Sequence, residues 1–175
     1  MANEKVDEIR YKPIGIIHSE FRKKEGIPIQ PTGASKKRGQ VEIFPEYVLG
    51  LRDLEGFSHI YLIYHFHLSR GYSLFTKPFL DDEKHGVFAS HAPRRPNAIG
   101  MSVVRLIGIK DNILEVENID IIDGTPLLDI KPYIPSFVEE EKADVRIGWL
   151  SKKPHKVYTH RSDERFRVMD EKDEI

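Results

Sequence analysis

The feature that most narrows the fold is a pair of apolar runs joined by three polar residues. Met101 to Ile109 and Leu114 to Ile122 nearly alternate apolar and polar side chains, with Lys110-Asp111-Asn112 between them. A period of two sends successive side chains to opposite faces, as in strands with one face in a core. The short polar link reads as a tight hairpin turn. Other segments share this character: Ile14 to His18, Val41 to Phe44, Phe57 to Leu68, Gly86 to Ser90 and Leu127 to Ile130. They are rich in β-branched or aromatic residues and are punctuated by Gly, Pro, Asn or Asp. Helical signals are few. Glu46 to Asp53 follows Pro45 and predicts two turns ending near Gly56. Ser136 with Glu139 fits a capping box opening a helix over Phe137 to Val145, and Ser162 is placed to cap a last short one over Arg165 to Met169. The expectation is an all-β sandwich or barrel with minor helices.

The 175 residues fit one domain, and 39% hydrophobic with 31% charged residues describes a folded globular chain. With no cysteine, disulfides and thiolate metal sites are excluded, which suits a reducing cytoplasm. Met1 to Arg10 is polar, flexible by expectation, and lacks the apolar core of a signal peptide. The longest apolar run, Phe57 to Leu68, is too short to cross a bilayer, so no membrane association is expected. A net charge of −1 gives no global basic field. The charge is uneven, however: Lys36-Lys37-Arg38, Arg94-Arg95 and the stretch from Lys152 to Arg167 are basic, and Asp170 to Glu174 is acidic. Residues 1–10, 11–150 and 151–175 thus divide into a terminus, a single β domain and a basic-then-acidic tail.

Familiar cofactor motifs are absent: there is no GxxxxGK[ST] loop, no GxGxxG after a first strand, no GxSxG and no HExxH. Two loops instead look shaped for chemistry. The first, Arg94-Arg95-Pro96-Asn97, holds two planar cations between Pro93 and Pro96. Those arginines suit phosphate or carboxylate, or equally a surface loop bridged to nearby acids. The second runs from Asp120-Ile121-Ile122-Asp123-Gly124-Thr125-Pro126 to Asp129-Ile130-Lys131-Pro132-Tyr133. A carboxylate there can accept from ribose hydroxyls or an amino group, or act as a base; an Asx turn at Asp123 is the plainer alternative. Lys131 and Tyr133 add a cation and an aromatic face. His59, His65 and His67 share the odd-numbered face of one strand, where ordinary hydrogen bonding is commoner than metal ligation, and no metal is expected.

Taken together, Gly86-Val87-Phe88-Ala89-Ser90, Arg95-Pro96-Asn97-Ala98-Ile99-Gly100-Met101-Ser102, Asp123-Gly124-Thr125-Pro126 and Asp129-Ile130-Lys131-Pro132-Tyr133 resemble the TrmO family, also called TsaA-like or YaeB-like. Phe57-Ser58-His59-Ile60 and Ile14-Gly15-Ile16-Ile17-His18-Ser19 are similar to it as well, so the likeness covers roughly Tyr11 to Pro135. The resemblance implies a single-domain β-barrel methyltransferase that uses S-adenosyl-L-methionine and methylates N6 of threonylcarbamoyladenosine at tRNA position 37. It also implies a homodimer with its active site near the subunit interface, and the tRNA anticodon loop as partner. By motif position, cofactor contacts would fall on Gln30, Pro31, Thr32, His67, Leu68, His91, Met101, Asp120, Ile121, Ile122 and Asp123. Arg94, Arg95, Asn97, Lys131 and Tyr133 would meet substrate, and Asp123 or Tyr133 would serve as catalytic base. The chain departs from the family where His91 replaces an arginine, and it lacks the extra C-terminal domain of longer members. Those departures keep open a methyltransferase acting on a small molecule or another RNA, and the histidine strand and scattered charge are compatible with a non-catalytic barrel that binds RNA or protein.

Overall fold

The computed structural model describes residues 8–23, 36–135, 148–149 and 162. Its strands are β1 (Gly15–His18), β2 (Arg38–Ile43), β3 (His59–His65), β4 (Phe75–Thr76), β5 (His85–Gly86), β6 (Ile99–Lys110), β7 (Ile113–Glu117) and β8 (Thr125–Pro132). Six of them close a barrel in the order β1-β2-β7-β6-β3-β8, each neighbouring pair antiparallel. Closure leaves no barrel strand with an unpaired edge. The remaining two, β4 and β5, pair with each other in the excursion between β3 and β6.

Alternation builds the interior. Ile60, Leu62 and Tyr64 of β3 point inward, and so do Gly100, Ser102, Val104 and Leu106 of β6. Ile17, Val41, Ile43, Leu114, Val116 and Leu127 complete the apolar packing. The expected hairpin is present, Lys110 pairing with Ile113 across Asp111 and Asn112. Gly15 lets β1 approach β2 closely, because a Cβ there would collide with the Glu42 carbonyl.

Several expected elements differ in extent or type. β7 stops at Glu117 rather than Ile122 because Asn118 adopts a left-handed conformation, φ 64°. The chain then crosses the barrel end, burying Ile119 and Ile121 as a plug. Gly86 to Ser90 is not a strand: β5 ends at Gly86, and Val87–Ala89 forms a 3-10 turn closed by the Ser90 hydroxyl on the Val87 carbonyl at 2.9 Å. The predicted helix after Pro45 is a 3-10 helix over Pro45–Leu51, followed by a left-handed Asp53. The helices expected near 137–145 and 165–169 lie outside the described residues.

Candidate active site

The loop at residues 118–124 is tied down on every side. Ser19 donates its hydroxyl to the Ile121 carbonyl at 2.6 Å and its N–H to Asp123 Oδ1 at 3.0 Å. Thr125 donates to the Ile122 carbonyl at 2.6 Å, while the Asp123 and Gly124 N–H groups reach the carbonyls of Phe21 and Ile17. Gly124 takes the positive φ of 75° that the turn requires. No Asx turn near Thr125 is formed: the Asp123 carboxylate instead accepts from the Ser19 N–H, just past the adjoining strand β1. His18 also stands near it, Nδ1 to Oδ1 at 3.8 Å, with Nε2 at 3.0 Å from Glu42.

Asp120 faces the other way. Its Oδ1 accepts from the Ser102 hydroxyl at 2.8 Å, and Ser102 Oγ lies 3.1 Å from the Tyr64 hydroxyl. Desolvation is the main influence on this carboxyl and raises it to about 6; the Ser102 bond pulls the other way. Tyr64 is raised too, first by burial and then by the Asp120 charge. Neither Tyr64 nor Ser102 was among the expected site residues. A signal existed in the sequence: Ser102 is a hydroxyl on the inward, otherwise apolar face of β6.

At the same end of the barrel, β3 runs out at His65 opposite Ile99. His67 lies just beyond, its Nδ1 3.3 Å from Thr125 Oγ1, and Leu68 follows exposed. The Arg94–Asn97 loop is fastened there by the Phe66 N–H on the Ala98 carbonyl and the Ser69 hydroxyl on the Pro93 carbonyl. Arg95 spends donors on its own loop, reaching the carbonyls of Ser90 and Ala92 at 3.0 and 3.3 Å. Arg94 has a buried Nε with no hydrogen-bond partner in the chain, while His91 and Asn97 are exposed. Met101 projects outward, 53% exposed.

His67, Leu68, His91, Arg94, Arg95, Asn97, Met101 and Asp120 to Asp123 thus gather around one end. Lys131 and Tyr133 do not join them. Thr125 begins β8 at that end, and Tyr133 follows the strand's last residue, roughly 25 Å away at the usual rise per residue. There Tyr133 packs edge-on against Tyr61 and His59, and Lys131 pairs with Asp129 at 3.0 Å. Gln30, Pro31 and Thr32 lie outside the described residues. An open groove of about 380 Å³ between His18, Arg38, Gln40 and Glu115 contains none of the expected site residues. His59 and His65 sit at opposite ends of β3.

A family model described as the tRNA-methyltransferase O N-terminal domain matches residues 16–139. A protein of Pyrococcus abyssi named "Probable S-adenosyl-L-methionine-binding protein" is 55% identical over 158 residues, 90% of this chain and 85% of that one. The human tRNA (adenine(37)-N6)-methyltransferase is 37% identical over 148 residues, 78% of this chain but 34% of its own length. A crystal structure of TrmO from Pseudomonas aeruginosa superposes with a TM-score of 0.66 at 41% identity, covering 81% of this chain and 62% of that one. The chain belongs to the family of the tRNA-methyltransferase O N-terminal domain.

Proposed function

We propose, from that membership and the geometry of the barrel end, that this protein is an S-adenosyl-L-methionine-dependent methyltransferase acting on tRNA adenosine 37. Its acceptor is N6 of threonylcarbamoyladenosine. The observation that carries the assignment is the prebuilt loop at 118–124, whose backbone is already bonded to β1, to Phe21 and to Thr125 before any ligand arrives. A site that needs no rearrangement loses little free energy to ordering when it binds.

The residues suit the methyl donor. Asp120 offers a desolvated carboxylate for hydroxyl or ammonium hydrogens, and Met101 and Leu68 expose apolar surface on β6 and just beyond β3. Gln30, Pro31 and Thr32 remain candidate cofactor contacts by motif position. S-adenosyl-L-methionine would supply an already electrophilic methyl group, so the protein's task is mainly alignment. Arg94, His91 and Asn97 face the same end and are suited to the phosphates and bases of a splayed anticodon loop. Arg95 shapes their loop from within.

The acceptor nitrogen is a poor nucleophile until its proton leaves, so a base or strong acceptor must stand near it. Asp123 keeps its place as a candidate for that role, although Oδ1 already accepts from Ser19. Within one chain Tyr133 packs against Tyr61 beyond the end of β8, away from Asp123. We therefore assign the working unit as a homodimer in which the partner brings Lys131 and Tyr133 to the barrel end. Of the twelve large hydrophobic side chains exposed among the described residues, seven fall between Leu68 and Met101, which supports a covered surface there.

The test is transfer of label from S-adenosyl-L-methionine to tRNA carrying the threonylcarbamoyl group. Label is expected at adenosine 37 of that tRNA and at background on the unmodified transcript. Donor binding without transfer to either RNA would favour a small-molecule acceptor instead.

A further inference from the structure

We infer that Tyr64 and Ser102 are positioning residues for the methyl donor, acting through Asp120 from inside the barrel. The inference rests on the cofactor site proposed above and adds two residues outside the cofactor, substrate and catalytic contacts that the resemblance implies.

The direction of the hydrogen bonds fixes the roles. An ionised carboxylate only accepts, so Ser102 donates to Asp120 Oδ1, and its oxygen is left to accept from Tyr64. Tyr64 keeps its proton at any ordinary pH because burial raises it. The chain of donors thus runs one way, from β3 through β6 to the loop at the barrel end. Ser102 and Thr125 are the buried polar residues among the described ones, and both hold this loop, Ser102 at Asp120 and Thr125 at the Ile122 carbonyl. A polar pair in an apolar barrel costs stability unless fully bonded, so its use here is positional. Gly100 leaves the room: a Cβ there would run into the Tyr64 ring.

A donor with hydroxyl and ammonium hydrogens prefers the ionised carboxylate, so its affinity rises as pH passes about 6 and levels off above. Other titratable groups surround that end: Tyr64 and His67 from the β3 side, Asp123 in the same loop, His18 of β1 with Glu42 of β2, and Lys37 paired with Glu20. The Ser102 bond lowers the Asp120 value, so its loss moves the midpoint of binding upward.

Binding of S-adenosyl-L-methionine is measured by calorimetry between pH 5 and 8.5 for the parent, Ser102→Ala, Ser102→Thr, Tyr64→Phe and Asp120→Asn, with unfolding midpoints recorded for each. Ser102→Ala is expected to bind about tenfold more weakly at pH 7, with its pH midpoint raised. Tyr64→Phe shifts the same way by less, Ser102→Thr restores both readings, and Asp120→Asn binds weakly without a pH step. If both hydroxyl variants bind as the parent does, or weaken without moving the midpoint, the relay is overturned while the cofactor site stands. A step that persists in Asp120→Asn belongs to another group and overturns it equally. A parent that binds no donor removes the site itself.

Discussion

Asp120 is less stable where it sits than in water. Burial raises its carboxyl from about 3.8 to about 6. Between those values the folded chain holds a proton that the unfolded chain has released, so stability falls as pH rises through the window. At neutral pH the ionised group costs on the order of 2–3 kcal/mol. Asp120→Asn keeps an oxygen to accept from Ser102 and removes the titration. The variant is expected to melt above the parent at pH 8, with the difference closing below about pH 4. Equal differences at both ends of that range would show that charge burial is not the cause. A residue kept at such a cost marks a site where stability has yielded to function. The Arg95 guanidinium shows the converse, since it stabilises its own loop, while the neighbouring Arg94 keeps a buried Nε without a hydrogen-bond partner in the chain.

At the level of elements, the β6–β7 hairpin is the most legible in the sequence and also holds a correctable strain. Only the first of its two turn residues, Asp111, has a positive φ, at 55°. Asn112 is committed to β2, its side chain donating to the Ile43 carbonyl at 2.9 Å while its own carbonyl accepts the Ile43 N–H. Glycine suits the first position. Asp111→Gly is expected to stabilise the fold by about 0.5 kcal/mol and Asp111→Ala to destabilise it, both read from urea unfolding. Alternation showed β6 and the start of β7 because each buries every second residue. The same cue misplaced the end of β7. Ile119 and Ile121 also bury alternately, but as a plug, and periodicity alone does not distinguish a strand from a segment crossing a barrel mouth. Tyr133 stands apart from Asp123 for a related reason. Ten residues separate it from Asp123, yet the extended strand between them carries it to the other end of β8. The pairings of β8 with β1 and β3 that close the barrel are non-local, and no local pattern in the chain encodes them.

For the whole molecule, the separation of Asp120 from Lys131 becomes an argument about assembly. Within one chain Asp120 is bonded to the inward-facing Ser102, whereas Lys131 is exposed on the outside of β8, so the barrel wall stands between them. If both serve the same reaction, each site must draw Asp120 from one subunit and Lys131 from the other. Two-fold symmetry then gives every dimer two composite sites. The exposed Tyr72, Leu74, Phe75 and Phe88 lie in the excursion beside the Arg94 loop, where the Leu74 carbonyl accepts the Val87 N–H and the Arg94 carbonyl accepts the Ser73 N–H. Burying such side chains at roughly 25 cal/mol per Å² would help hold two chains together. Sedimentation is expected to show a particle of twice the chain mass. The sharper test mixes two inactive proteins. In a dimer of one Asp120→Asn chain with one Lys131→Ala chain, one site collects both substitutions and the other collects none. Random exchange makes half the dimers mixed, so about a quarter of the parental methyl transfer should return on mixing. Sites that draw both residues from a single chain would each keep one substitution, and mixing would restore nothing.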